Sequence, residues 1–220
     1  WPTYPGHIVN NLRHIAEPYA NYTYVPEPTV TPDRLYAFDE VDTLGALNEL
    51  RFGMRNKLQT QRFARHQPGA RHAVYDLVNA DVWTVCRLDP PDTQQTFSNV
   101  AWDVRSRPFD WAELKLDGGY DPYETRVDTF NTRLTVRDRT LWRYAIEHRF
   151  ADGGSSLLAN ELTLSPFARW EYGAYARYEF EDSTLEAWGL TVQRTMDCTA
   201  WKLGFEQQTD YERSDEITVW

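Results

Sequence analysis

At 220 residues, with nine Trp, thirteen Tyr, ten Phe and a quarter of its residues charged, the chain is long enough for one large all-β domain or two small ones. Its net charge of −10 argues against a general nucleic-acid binder, which carries a basic surplus. A mean hydropathy of −0.65, and no apolar run near the roughly 18 residues of a spanning helix, exclude a helical membrane protein but not a β-barrel, whose strands are apolar only at alternate positions.

The chain opens on WPTYPGHIVNN, without the basic start or apolar run of a secretory signal; either a signal has been removed or this is a piece of a longer protein. Twelve strand-like segments follow, over 12–25, 45–62, 73–88, 98–107, 110–121, 124–137, 140–150, 156–165, 167–181, 184–196, 198–209 and 215–220. The connections carry turn chemistry: RHQPGAR (65–71), LDPPDTQQ (88–95), ADGGS (151–155) and EDS (181–183). VPEPTVTPD (25–33) reads as a long proline-rich loop. No long helix and no strict repeat is evident, so residues 1–220 form a single β domain.

Most segments alternate. From 46 to 62 the even positions include Leu50, Phe52, Met54 and Leu58, the odd ones Glu49, Arg51, Gly53, Arg55, Lys57, Gln59 and Gln61. In FNTRLTVRD, Phe130, Leu134 and Val136 oppose Asn131, Arg133 and Arg137; in TAWKLGFEQ, Trp201, Leu203 and Phe205 oppose Lys202, Gly204 and Glu206. A period of two makes strands with one apolar and one polar face. The segment 73–88 is irregular, which predicts a bulge or phase change.

A soluble sandwich would bury the apolar face. Three features favour lipid instead. The alternation from 46 to 62 and from 167 to 180 outruns the 5–6 residues usual in sandwiches. Aromatics end the stripe of Trp170, Tyr172, Ala174, Ala176, Tyr178 and Phe180, with alanines in the middle. Ten residues at about 3.3 Å, tilted by about 40°, rise roughly 25 Å, the height of the apolar band between the aromatic girdles of outer-membrane barrels. The polar face mixes Arg, Lys, Glu, Gln, Asn and Gly, as a water-filled lumen does. The expected fold is an all-β, antiparallel, up-and-down transmembrane β-barrel of about 12 strands.

Several stretches are similar to the LptD family of outer-membrane lipopolysaccharide-assembly proteins, also called organic solvent tolerance proteins. RHIAEPYANYTYVP (13–26) resembles its Glu-Pro entry into a Tyr-rich strand. LYAFDEVDTLGALNELRFGMRNKLQTQR (35–62) resembles its most characteristic block, here with Phe38, Asp39, Asn56, Leu58, Thr60 and Arg62. YDPYETRVDTFNTRLTVRD (120–138) is similar to its barrel hairpins, and MDCTAWKLGFEQQ (196–208) to its late strand after a C-terminal cysteine. The resemblance runs from about residue 13 to the end. It implies the C-terminal part of a barrel of roughly 26 strands, with the N-terminal periplasmic domain absent from this chain. It also implies insertion of lipopolysaccharide into the outer leaflet, an LptE-like plug lipoprotein in the lumen, an LptA-like periplasmic bridge protein, and localisation to the bacterial outer membrane. The alternatives are a soluble carbohydrate-binding β-sandwich and a generic twelve-stranded porin or outer-membrane enzyme.

No catalytic, metal or cofactor motif stands out, so the chain reads as a non-enzyme without cofactor. A Ser–His dyad would need His148 with Ser156 or Ser165. Arg51, Arg55, Lys57, Arg177 and Glu179 are candidate lumen-lining residues; the cations either line a path for an anionic glycolipid or pair with Glu49, Glu171 and Glu179. Asp39, Glu40 and Asp42 put three carboxylates within four residues beside Phe38, short of the six or more oxygens of a calcium site, so they read as a solvated loop; the resemblance implies that this loop lies near the lumen. Cys86 and Cys198 lack metal-ligand spacing; by the resemblance, Cys198 would bond to a cysteine of the absent periplasmic domain. The family often has Cys-Cys there, whereas this chain has Asp197–Cys198.

Overall fold

The computed structural model describes residues 11–27, 46–62, 73–90, 94–209 and 216–219. They contain twelve strands and, among the described residues, no helix. The strands are β1 (Arg13–Val25), β2 (Leu47–Arg62), β3 (Ala73–Arg87), β4 (Val100–Phe109), β5 (Ala112–Asp121), β6 (Arg126–Arg137), β7 (Trp142–Ala151), β8 (Ser155–Leu164), β9 (Trp170–Glu179), β10 (Thr184–Thr195), β11 (Ala200–Gln208) and β12 (Glu216–Val219). They pair in chain order as one antiparallel up-and-down sheet. Twelve strands in that order agree with the alternation in the sequence. The segment expected over 167–181 is shorter, because Pro166 to Arg169 make a turn closed by the Trp170 amide donating to the Phe167 carbonyl, at 3.1 Å.

The sheet is open. Among the described residues β1 pairs only with β2 and β12 only with β11, so the closure of a barrel is not established. Among the described residues no second layer covers either face, each strand touching only its sheet neighbours, and these residues form no core in the usual sense. The only buried hydrophobic residues among those described are Leu77, Ala145 and Ala187, whereas Phe52 is 39% exposed, Leu190 51% and Leu203 56%. In water these side chains would forfeit about 1.5–3 kcal/mol each relative to burial.

The two faces differ in crowding. Ala145, Ala187, Gly119, Gly189, Gly204 and Glu179 are all buried, and all lie on the charged face by register. Long polar neighbours crowd over these positions, while on the other face many large apolar side chains are exposed and Thr60 is buried. The sheet thus curls with its charged face concave.

Four bulges punctuate the ladders. Leu77 is the extra residue in β3, the irregularity expected from the sequence. Asp128 and Glu186 are extra in β6 and β10. The β4–β5 ladder shifts between Ser106 and Phe109, around Pro108, whose missing N–H suits a bulge.

Candidate binding face: the concave charged surface

Side chains on the concave face meet according to register, and two devices recur. In the first, a tyrosine lies across a glycine of the next strand and reaches a carboxylate one strand further. Tyr19 of β1 is opposite Gly53 of β2 and donates to Asp81 of β3 at 3.1 Å. A Cβ on Gly53 would sit 2.8 Å from the Tyr19 hydroxyl. Arg55 closes the group, 4.6 Å from the Tyr19 ring centre and 3.7 Å from Asp81. Tyr175 of β9 repeats the arrangement over Gly189 of β10, donating to Glu206 of β11. On the convex face Trp102 likewise lies across a glycine, Gly118, but approaches an aromatic ring one strand further, 6.5 Å from that of Phe130.

The second device is the charged rung. Arg55, Asp81, Asp103, Asp117, Asn131 and Arg149 stand in direct register across β2 to β7. Two residues along each strand runs a parallel rung: Lys57, Asn79, Arg105, Lys115, Arg133 and Glu147. One carries three adjacent aspartates, the other three adjacent cations. Like charges directly opposite in an antiparallel pair are destabilising.

The cationic rung leans towards the β4–β5 turn. There Glu113 collects Arg107 at 2.7 Å, Lys115 at 3.5 Å and Arg105 at 3.8 Å. Arg133 is held by Glu147 at 2.5 Å and Glu161 at 3.1 Å, the second contact passing over β7. Arg143 also binds Glu161, at 2.8 Å. These side chains border a cavity of about 910 Å³ whose lining runs from Gln59 of β2 to Arg143 of β7. Strands five apart would be about 24 Å distant in a flat sheet, so one cavity joining them is a direct expression of the curl. Arg105, Arg107, Lys115, Arg133, Arg137 and Arg143 line it, with Phe109 and Trp111 stacked at 4.6 Å on its rim.

The residues singled out from the sequence are scattered over this face. Arg51 stacks on Trp83 at 4.5 Å and Arg177 approaches Glu186 at 4.0 Å, so Glu49 and Glu171 are not their partners. Glu179 is buried and accepts from the Ser156 amide at 2.7 Å and the Glu181 amide at 3.2 Å, which makes it an anchor of the β9–β10 turn. Lys57 stands at the end of the cationic rung, beside Asn79. None of these five lines the cavity, and the sequence reading passed over the residues that do. Its like-charge character depends on register, which alternation within one strand does not reveal.

Phe38, Asp39, Glu40 and Asp42 lie outside the described residues. Cys198 is exposed in the β10–β11 turn and Cys86 half-buried on β3; both thiols are free. His148 and Ser156 do meet, Nε2 to Oγ at 3.1 Å, on the apolar face beside Phe180. Among the described residues, no side chain orients the ring from its other nitrogen, as a hydrolytic dyad requires. Among those residues there is also no metal-ligating cluster. No protein-family model matches the sequence, and no curated protein is significantly similar to it.

Proposed function

We propose that this sheet is part of an outer-membrane β-barrel of the LptD kind, which carries lipopolysaccharide into the outer leaflet. The observation that carries the reading is the uncovered apolar face. Phe52, Met54, Val82, Leu134, Leu190 and Leu203 are exposed on five different strands, and among the described residues no layer packs over them. A soluble protein that exposes such a face aggregates; acyl chains cover it without cost. The concave charged face would then be one wall of a hydrated lumen, suited to the sugar portion, while the acyl chains travel along lipid. No covalent chemistry is needed.

In this reading further strands continue the sheet from its two free edges, since an uncovered edge is itself a pairing template. Pro18 in β1, opposite Met54, supplies no ladder donor at that position. An LptE-like plug would fill the lumen and an LptA-like bridge would deliver substrate. A soluble sandwich would need an opposing layer, and among the described residues none packs on the sheet, which supports the barrel reading.

The test is depletion of the full-length protein in its native bacterium. Surface lipopolysaccharide should fall while other outer-membrane proteins still arrive. Unchanged surface lipopolysaccharide would remove the transport function, and recovery of the protein in the cytosol would remove the membrane assignment as well.

A further inference from the structure

We infer that Arg194 of β10, with Trp170 and Trp201 on either side of it, binds the headgroup phosphate of an anionic phospholipid in the leaflet beside the β10–β11 turn. The inference rests on the lipid-facing reading of the convex face and goes beyond it, because it assigns one boundary lipid to named residues.

Charge singles Arg194 out. Among the residues in direct register from β4 to β11, it is the one Arg, Lys, Asp or Glu on the apolar face. It stands opposite Trp170 on one side and Trp201 on the other. Its guanidinium lies 5.1 Å from the Trp170 ring centre, and among the described residues no carboxylate pairs with it. Asp197, the acid of the adjoining turn, is held by Arg169 at 2.8 Å. That pair is neutral, so Arg194 is left uncompensated.

Position puts this charge at headgroup level. The rung one pair further in runs Trp142, Leu164, Tyr172, Val192 and Leu203, all apolar or aromatic. Leu190, near the middle of β10, is four residues away, a rise of about 10 Å at a tilt near 40°. On a barrel's lipid face an arginine is tolerated near the interface and not at mid-bilayer. The rings also fix where the cation points. Trp170 meets Trp201 edge-on at 5.4 Å and stacks with Tyr172, their planes 8° apart, and Arg194 rests on its face. Held there, the guanidinium presents its N–H groups to phosphate oxygens at the border of the apolar band, a forked contact that Arg makes well.

Connection lengths assign the leaflet. At the Arg194 end the strands are joined by two to ten residues, whereas the other end includes the 21 residues of 26–46 and the 12 of 88–99. In outer-membrane barrels the short turns face the periplasm. The occupant is therefore a phospholipid of the periplasmic leaflet and not the glycolipid of the outer one.

Native mass spectrometry of the full-length protein in detergent, titrated with equimolar phosphatidylglycerol and phosphatidylcholine, tests this. The wild type should retain a first phosphatidylglycerol about fivefold more often than a first phosphatidylcholine. Arg194→Gln, at an exposed position, should keep the folded, heat-modifiable band and lose that preference. Lys202→Gln, which removes a cation from the concave face of the neighbouring strand, should retain it. Persistence of the preference in Arg194→Gln, or equal loss in both variants, overturns the site. Displacement of the bound phosphatidylglycerol by equimolar lipopolysaccharide overturns its assignment to phospholipid. In vesicles, brominated phosphatidylcholine should quench the wild-type tryptophans. Failure of that quenching removes the membrane reading itself, whereas quenching without a headgroup preference removes this site alone.

Discussion

Gly189 shows how a single position decides local structure on the concave face. A methyl group there would lie 2.5 Å from the Tyr175 ring and 2.9 Å from the Phe205 carbonyl. Neither neighbour yields easily, one being backbone and the other a ring held by its hydroxyl. Gly189→Ala should therefore destabilise the protein by about 1–3 kcal/mol, read as a lower urea midpoint, and should free the Tyr175 hydroxyl from Glu206. An unchanged midpoint would mean that Tyr175 does not lie across the glycine. Ser183 illustrates the opposite case. It closes the β9–β10 turn at φ 51°, a left-handed conformation that L residues adopt at some expense. Ser183→Gly should raise stability by up to about 1 kcal/mol, and a fall in the same urea titration would show that its side chain is needed. Alternation assigned Gly53 to the correct face, but not the tyrosine above it. That contact joins three strands, and only register brings their residues together.

Between strands, the charged rungs are the main energetic feature. Arg133 reaches over β7 to Glu161 while also holding Glu147, and both partners are partly exposed, so each pair is worth little alone. A double-mutant cycle between Arg133 and Glu161 should give a coupling of about 0.5–1 kcal/mol that shrinks as salt is raised. A coupling near zero at low salt would mean that the bridge does not form in solution. The strands were legible because most of β1 to β11, nine to sixteen residues long, keep a period of two, and the turns because Gly, Pro, Asp and Ser mark them. The Leu77 bulge was visible as a break in alternation. Asp128 and Glu186 were not, since one polar residue between two turn-proximal neighbours reads as an ordinary strand end. The rungs stayed hidden for a related reason: each bulge slips the register, and three of them lie within β2 to β7.

For the molecule as a whole, the decisive quantity is the environment of the convex face, and Leu190 measures it. It stands near the middle of β10, opposite Ala174 and Phe205, 51% exposed. Composition and alternation indicated such a face, but neither could tell whether the sheet closes, because closure depends on strands pairing at its two ends. If the face meets acyl chains, Leu190→Arg places a charge at mid-bilayer and should cost about 2–4 kcal/mol, seen as loss of the folded, heat-modifiable band after refolding into vesicles. If the face meets water, the same change at an exposed site should stay within about 0.5 kcal/mol. A substitution at Thr191, whose side chain is on the concave face between Gly173 and Gly204, supplies the control. Thr191→Arg keeps the added charge and the strand and sets no cation directly opposite it, so it should refold normally in a barrel. Equal tolerance of both arginines would end the lipid-facing assignment, whereas failure of Leu190→Arg alone would mean that the apolar side of this open sheet is solvated by lipid.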